Sequence, residues 1–210
     1  MPTWRTPRRP AVLPAGFIKP CSPTISKVVP VDDRWLYEFK HDGYRLIVRK
    51  DGERVRIFTR RGFDWTKRYP LIVRSVAKLK ASSIVLDGEG VFCGSDGVAD
   101  FDKLHSQGYD AEVRLFAFDL LHLDGEDMRS LPLEQRKKLL KKVLGRKNAI
   151  HFVEHLEGDG EAMFEHVCQM GWEGIVSKRR DLPYRSGPSK SWLKIKNPAS
   201  PAMLRVKDDA

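Results

Sequence analysis

Short runs of β-branched and aromatic residues dominate the chain from Trp35 onward, and this pattern decides the fold class. The runs WLYEFKH and YRLIVRK are followed by the turn Lys50-Asp51-Gly52-Glu53, which leads into RVRIFT. Apolar residues that alternate on both sides of an Asp-Gly pair are typical of a β-hairpin. The sequence therefore predicts that these runs form one antiparallel meander.

Helical and extended patterns alternate through the rest of the chain. Apolar residues at helical spacing predict helices over Leu71–Lys80 and Leu133–Leu144, the second rich in lysine, and a helix that Asp159 caps and that runs to Met170. Strands are predicted for SSIVLDGEGVF, as a pair, and for Val113–Leu121, Ile150–Leu156, GIVSK and SWLKIK. This order predicts an α+β fold with interleaved helices and strands.

The charge balance of the chain favours a polyanionic partner. With 38 Lys and Arg residues against 28 Asp and Glu, the formal net charge is +10, which favours phosphate contacts.

No stretch reaches the roughly 18 apolar residues of a membrane-spanning helix, so no membrane is expected. The three cysteines are widely spaced, which argues against a disulfide framework and a zinc site. We expect a cytoplasmic protein, associated with the nucleoid if it is bacterial.

Composition divides the chain into predicted segments. Residues 1–30 carry prolines at positions 2, 7, 10, 14, 20, 23 and 30 among basic residues, which predicts a basic, extended arm on the domain surface. Residues 31–198 hold the predicted helices and strands, and residues 199–210 form a tail too short to be a domain. We expect one domain, with a monomer as the default.

Two lysine-bearing strands carry candidate catalytic groups. In EFKHDGYR, strand alternation places Glu38, Lys40 and Asp42 on one face, and three charges on one face seldom line a core. In SWLKIK, alternation makes Lys194 and Lys196 project together, which an anion such as phosphate would stabilise. Read alone, the first segment is more readily explained as a solvated sheet edge, and the second fits an exposed basic strand equally well.

Carboxylates at predicted strand ends form a candidate metal site. Asp87 and Glu89 flank a glycine in VLDGEG, and Glu173 precedes the apolar GIVSK strand. Mg²⁺ usually takes one or two protein carboxylates together with substrate phosphates. Ordinary turn chemistry explains the same carboxylates without a metal. Gly88-Glu89-Gly90 is predicted to be a turn, because a dinucleotide-binding loop needs a third glycine and a helix directly after it.

Taken in order, these segments and several others resemble the motif set of ATP-dependent DNA ligases, within the covalent nucleotidyltransferase superfamily. KHDGYR resembles the signature K-x-D-G-x-R, TRRG the motif S-R-N-G, LDGE the D-G-E element, EGIVSK the motif after it, and WLKIK the last motif present. FAFDLLHLDGEDMR is especially similar to the bacterial end-joining group. The resemblance implies the ATP-grasp-like fold of ligase adenylation domains, with two antiparallel β-sheets flanked by helices and the ATP pocket between them.

The resemblance implies three phosphoryl-transfer steps that begin at Lys40. This lysine attacks the α-phosphate of ATP to form lysyl-AMP, AMP passes to a DNA 5′-phosphate, and the neighbouring 3′-hydroxyl displaces AMP and seals the nick. The implied cofactors are ATP and Mg²⁺ or Mn²⁺, and the implied partner is nicked or broken duplex DNA in repair. The implied ATP-binding residues besides Lys40 are Glu38 and Phe118 at the adenine, Arg45, Arg60 and Glu89 at the ribose, and Lys194 and Lys196 at the α-phosphate. Glu89 and Glu173 are the implied metal ligands, and Arg60 and Arg61 the implied DNA contacts.

The chemistry of lysine agrees with a cationic site. A free lysine has a pKa of about 10.4, so only about one in a few thousand is the nucleophilic amine at neutral pH. Burial together with cations such as Arg45, Lys194 and Lys196 can lower such a pKa by about 3 units. The same cations would neutralise charge on the phosphorus during transfer.

Two departures from the family pattern affect these expectations. Arg61 stands where the family has Asn, which adds positive charge near the nucleotide. Ligases of this group continue into an OB-fold domain with a basic motif, and this sequence ends before it. The resemblance therefore implies an OB-fold domain or end-joining protein that acts in trans, or a stand-alone or truncated form with weak self-adenylation.

Other functions fit part of the pattern. An RNA ligase or a capping-type guanylyltransferase uses the same lysine, and FDLLHLDGEDMR favours the DNA ligase branch over both. A non-catalytic module that binds DNA ends would keep the charge without turnover. A generic basic binding domain would require every motif match to be accidental.

Overall fold

The computed structural model describes residues 16–95, 97–145 and 149–208, in which strands and helices are interleaved as predicted. The strands are, in chain order, β1 (Cys21–Ile25), β2 (Trp35–Phe39), β3 (Tyr44–Asp51), β4 (Arg54–Thr59), β5 (Ser83–Val91), β6 (Arg114–Leu123), β7 (Glu126–Asp127), β8 (Ile150–Phe152), β9 (Gly174–Arg179) and β10 (Gly187–Lys196). The α-helices are α1 (Pro70–Ala77), α2 (Phe101–His105), α3 (Leu133–Leu144), α4 (Gly160–Gln169) and α5 (Pro201–Asp208). The helices predicted from Leu71, Leu133 and the Asp159 cap are thus confirmed. No helix of the described residues is both long and apolar enough to cross a membrane.

The smaller sheet has the strand order β1-β10-β9-β2. Strand β9 pairs antiparallel with both β10 and β2, whereas β1 runs parallel to β10. Two predictions change here. Strand β2 does not join a meander with β3, because the chain leaves this sheet at Lys40 and enters the other sheet at Tyr44. Part of the segment predicted as a surface arm is strand β1, whose Cys21 is buried.

The larger sheet has the order β4-β3-β5-β6-β7, with β8 beside β6. The predicted hairpin between β3 and β4 is confirmed, and Gly52 turns it with a φ of 55°. Strand β8 runs parallel to β6 because α3 carries the chain back across the sheet, as a parallel connection requires. The fold is therefore confirmed, but each of the two sheets predicted as antiparallel contains one parallel pair.

The segment SSIVLDGEGVF forms a single strand, β5, and not the predicted pair. The prediction that Gly88-Glu89-Gly90 forms a turn is also wrong, because these residues lie within β5. The glycines are explained by close packing. A Cβ on Gly88 would lie 2.7 Å from the carbonyl oxygen of Phe116, and one on Gly90 would lie 2.6 Å from Leu46 Cδ1.

The two sheets meet across a layer of buried apolar side chains that includes Ile47, Phe58, Phe118 and Trp192. Helix α3 contacts β6 and β8 of the larger sheet, and α4 contacts β9 and β2 of the smaller one. The motif-bearing ends of strands from both sheets therefore face one another at a cleft between the sheets. The tail predicted for residues 199–210 contains α5.

Candidate active site

A cleft between the two sheets brings together motif residues that are distant in sequence. Seven of the predicted site residues line it, and three, Arg61, Glu173 and Lys196, lie outside its lining. The seven are Glu38, Lys40, Arg45, Arg60, Glu89, Phe118 and Lys194. Strand β1 supplies a further wall through Cys21, Ser22 and Pro23. The structure thus builds one site from residues that the sequence could only group by resemblance.

Lys40 lies just past the end of β2, at the edge of this cleft. Its backbone N–H donates to the carbonyl of Gly174 at 2.9 Å, and its Nζ lies 2.5 Å from Oε1 of Glu173. Glu173 is buried. Gly174 has a φ of 142°, and a Cβ there would lie 2.1 Å from the carbonyl oxygen of Ile195, so a larger residue would push β9 away from β10. This glycine therefore fixes the distance between Lys40 and its acidic partner.

Cations gather on the β10 side of the cleft. The pKa of Lys194 is lowered by burial first, and then by the positive charges of Lys196, Lys40 and Arg60. The side chain of Arg60 is exposed and reaches Ser22 Oγ at 3.4 Å. Arg61 follows it and is also exposed. A site with this much unbalanced positive charge suits a phosphate-bearing ligand.

Arg45 is held by a carboxylate that the sequence grouped with metal ligands. Its Nε and one terminal nitrogen donate to the two oxygens of Asp87 at 2.5 and 2.7 Å. Asp87 is fully buried and also accepts from the hydroxyl of Tyr184 at 2.6 Å. These bonds commit Asp87 to orienting Arg45, so we no longer expect it to bind a metal.

Glu38 lies among buried cations that the sequence analysis did not select. Its Oε1 accepts from Lys137 of α3 at 2.6 Å, and its Oε2 accepts from Lys178 of β9 at 2.5 Å. The sequence does contain a pattern that indicates burial of Lys137. This residue falls at helical spacing between Leu133 and Leu140, on the apolar face of α3. A lysine on the apolar face of a helix indicates a buried partner.

Phe118 lines the cleft and contacts two cations. The Nζ of Lys178 lies 4.1 Å from the centre of the Phe118 ring and 4.0 Å from that of Trp192. The guanidinium of Arg45 lies 4.5 Å from the centre of Phe118. Lys178 is the last residue of the EGIVSK motif, and the motif resemblance alone assigns it no function. The structure places its charge at the inner end of the cleft.

The carboxylates of the cleft fit a divalent cation that is completed by a substrate. Oε2 of Glu173 is buried and has no hydrogen-bond partner among the described residues. Glu89 is half-buried, lines the cleft, and is close enough to Glu173 for their charges to interact. Within the described residues, no group of three or more His, Cys, Asp or Glu forms a complete metal site. Mg²⁺ does not need one, because it usually takes one or two carboxylates together with substrate phosphates.

Replacement of Glu89 by Gln should change how stability depends on pH. Burial raises the pKa of the Glu89 carboxyl to about 7, although Arg45 and Lys40 act in the opposite direction. An unfolded Glu has a pKa of about 4.3, so between about pH 4.5 and 7 the native chain holds a proton that the unfolded chain has released. This group therefore makes wild-type stability fall as pH rises. The free energy of unfolding of Glu89→Gln, minus that of the wild type, should increase by up to about 3 kcal/mol across this window.

Urea unfolding at pH 4.5 and pH 8 measures this difference. Subtraction is needed because burial lowers the pKa of His41 to about 4, which makes stability rise with pH below about 6.5 in both proteins. A pH-independent difference for Glu89→Gln would contradict the assignment.

Known proteins resemble this chain over most of its length. The family model described as "ATP dependent DNA ligase domain" matches residues 18–196. The multifunctional non-homologous end joining DNA repair protein LigD of Mycobacterium tuberculosis is 39% identical over 165 residues, which cover 78% of this chain and 22% of that protein. The chain thus spans about a fifth of the length of the LigD proteins it matches.

Solved structures agree in both fold and sequence. The ligase domain of M. tuberculosis LigD superposes with a TM-score of 0.76 and 37% identity, covering 85% of this chain and 60% of that one. A mycobacterial DNA ligase D complexed with ATP and MES gives a TM-score of 0.75 and 36% identity, again covering 85% and 60%. The family match, the shared fold and the convergence of the motif residues in one cleft show that the chain belongs to the ATP-dependent DNA ligase domain family.

Proposed function

We propose that this domain transfers AMP from ATP to the amine of Lys40, as the first step of DNA strand joining. The observation that carries the proposal is the position of Lys40. Its amine lies at the edge of the cleft, in contact with the buried Glu173 and close to the positive charges of Lys194 and Arg60. These cations suit phosphates, and the buried inner end of the cleft, where Phe118 offers an aromatic ring and Glu38 a hydrogen-bond acceptor, suits adenine.

In the proposed step, a bond forms between Lys40 Nζ and the α-phosphorus of ATP. The bond from that phosphorus to the oxygen that bridges to the β-phosphate breaks, and pyrophosphate leaves with the bonding electrons. The Lys40 ammonium leaves its ion pair with Glu173 and gives one proton to solvent to become the nucleophilic amine, and a second proton passes to solvent as the N–P bond forms. Lys194 and Lys196 would hold the α-phosphate, and Arg45, fixed by Asp87, would face the ribose together with Glu89 and Arg60.

A divalent cation belongs to this proposal, and the residues present suit it. Glu173 has a buried oxygen with no hydrogen-bond partner among the described residues, and Glu89 of the cleft is close enough to it for their charges to interact. Mg²⁺ or Mn²⁺ bound there would neutralise phosphate charge when ATP is present. A cation on Glu173 would also compete with Lys40 for the carboxylate, which would free the amine to react.

Nicked or broken duplex DNA is the proposed acceptor of AMP. LigD of M. tuberculosis is named as a non-homologous end joining DNA repair protein, which supports DNA ends as the substrate class. Exposed Arg60 and Arg61 at the mouth of the cleft would contact DNA phosphates, in keeping with the net charge of +10. An OB-fold domain or end-joining protein stays a predicted partner of this domain. The predicted location of this activity is the bacterial cytoplasm.

The first test is to incubate the purified chain with Mg²⁺ and ATP radiolabelled at the α-phosphate, and then to run a denaturing gel. We expect label that survives denaturation and that EDTA prevents. GTP in place of ATP separates this function from that of a guanylyltransferase. DNA-end binding without label would support the non-catalytic module, unless joining of a pre-adenylated nick shows that only the first step is missing.

Phe118→Ala should weaken ATP binding more than it weakens the chemical step. Stacking of a base on an aromatic ring is worth about 1–3 kcal/mol, so the apparent KM for ATP should rise by about tenfold or more. Phe164, a half-buried residue of α4 outside the lining of the cleft, gives a control in Phe164→Ala. Concentration series of ATP in the labelling assay measure both variants. An unchanged KM in Phe118→Ala would rule out stacking on this ring.

A further inference from the structure

Three buried charges form a compact group at the inner end of the cleft. Glu38 accepts from Lys137 at 2.6 Å through one oxygen and from Lys178 at 2.5 Å through the other. Their side chains are exposed by only 1–3%. Burial of charge is unfavourable even when the charges are paired, and apolar residues of similar volume often give equal or better stability. Such a group therefore invites a functional explanation.

The two lysines differ in their position relative to the cleft. Lys178 lines it and contacts the rings of Phe118 and Trp192. Lys137 approaches from α3, does not line the cleft, and donates to the carbonyl of Val153 at 3.0 Å as well as to Glu38. Because Glu38 is the cleft residue to which Lys137 donates a hydrogen bond, we expect Lys137 to influence a bound nucleotide mainly through Glu38.

The protonation state of Glu38 determines which purine it can recognise. An ionised carboxylate only accepts hydrogen bonds, whereas a protonated one can also donate. Adenine carries an amino donor at C6, and guanine carries a carbonyl acceptor there. An ionised Glu38 would therefore bind adenine and repel guanine, but a protonated Glu38 could donate to the guanine oxygen.

We propose that Lys137 is a positioning residue that sets the preference for ATP over GTP by keeping Glu38 ionised and fixed in orientation. The inference rests on the proposed function, in which Glu38 contacts the adenine. Burial of Glu38 opposes its ionisation, but Lys137 and Lys178 outweigh this effect, so the pKa of Glu38 lies below its ordinary value. Without Lys137, Lys178 alone would have to stabilise the charge of the buried Glu38 carboxylate.

Three substitutions of Lys137 separate its charge from its packing. Lys137→Met removes both charge and hydrogen bonds, Lys137→Gln keeps amide donors without charge, and Lys137→Arg keeps the charge. Lys138→Met is the matched control, because Lys138 is the next residue of α3 and is exposed. Titration calorimetry with Mg²⁺ and the α,β-methylene analogues of the nucleotides, in which the bond that adenylation breaks cannot be cleaved, gives Kd for the adenine and guanine forms without covalent labelling.

The ratio of Kd for the guanine form to Kd for the adenine form should fall about tenfold or more in Lys137→Met and Lys137→Gln. It should stay at the wild-type value in Lys137→Arg and Lys138→Met. Should Lys137→Met fail to fold, Lys137→Gln decides, since it can still donate to both partners of the lysine. Equal weakening for both nucleotides would overturn the inference, because a purely structural role predicts that result.

A measurement on the wild type avoids the question of folding. Inosine triphosphate, used as its α,β-methylene analogue, carries the guanine oxygen at C6 but lacks the amino group at C2. It should bind as weakly as the guanine form, and binding as tight as that of the adenine form would overturn the inference. A wild type that prefers ATP in calorimetry but takes no label would refute the proposed lysyl-AMP step and leave the role of Lys137 standing.

Discussion

Lys40→Arg is expected to abolish covalent transfer of AMP to the protein, although the substitution preserves positive charge. A guanidinium stays protonated at any accessible pH, so it can retain an ion pair with Glu173 but cannot supply a lone pair to the α-phosphorus. Loss of a nucleophile lowers the rate by on the order of 10⁶-fold in a well-characterised protease. Label from ATP should therefore fall below detection on a denaturing gel for both Lys40→Arg and Lys40→Ala.

The control for this experiment is another strand lysine. Lys190 lies on β10, is exposed, and is outside the lining of the cleft, so Lys190→Arg should label as the wild type does. Circular dichroism of Lys40→Arg should match that of the wild type, because the charge is conserved. Label on folded Lys40→Arg would show that another residue is the nucleophile and would refute the proposed function.

Local patterns predicted the elements of this fold well. The hairpin around Gly52 and the bounds of α3 were confirmed, because turn chemistry and apolar spacing act over a few residues. The motif order also indicated the family, which the family match over residues 18–196 confirms. Features that depend on a few neighbouring residues, such as turns and helix bounds, could therefore be predicted from the sequence.

Pairing between strands that are distant in sequence could not be predicted from local patterns. Strand β2 looked like the first strand of a meander, but it pairs with β9, more than a hundred residues later, through the register Phe39 to Ile175. Strand β1 likewise pairs with β10. No local pattern specifies either partner, because the apolar alternation of a strand suits any neighbour with a complementary face.

The burial of charged side chains was also not predicted from the sequence, for a physical reason. Lysine and arginine are usually exposed, so a lysine-rich helix such as α3 is expected to direct most of its cations to solvent. The structure instead buries Arg136 and Lys137 against Asp119 and Glu38, each from a different strand. The position of Lys137 on the apolar face of α3 indicates burial, but only the three-dimensional structure identifies the carboxylate that pairs with each cation.

Removal of one member of such a pair should cause the largest loss of stability in the domain. Arg136 donates to both oxygens of Asp119, at 2.7 and 2.9 Å, and the two side chains are 1% and 0% exposed. Arg136→Met would leave the Asp119 carboxylate buried without its cation. Breaking a buried pair in this way costs about 3–5 kcal/mol of unfolding free energy. Urea unfolding monitored by tryptophan fluorescence measures it.

The same helix supplies the control. Lys141 pairs with Glu154 at 2.8 Å, but these side chains are 62% and 67% exposed, so Lys141→Met should cost about 1 kcal/mol or less. Arg136→Met combined with Asp119→Leu should recover much of the loss, since no unpaired charge then stays buried. A double variant as unstable as Arg136→Met alone would contradict the unpaired carboxylate as the cause, and the loss would then lie with the other bonds of the pair, which are those from Arg136 to the carbonyls of Leu131 and Leu182 and that from the Leu120 N–H to Asp119.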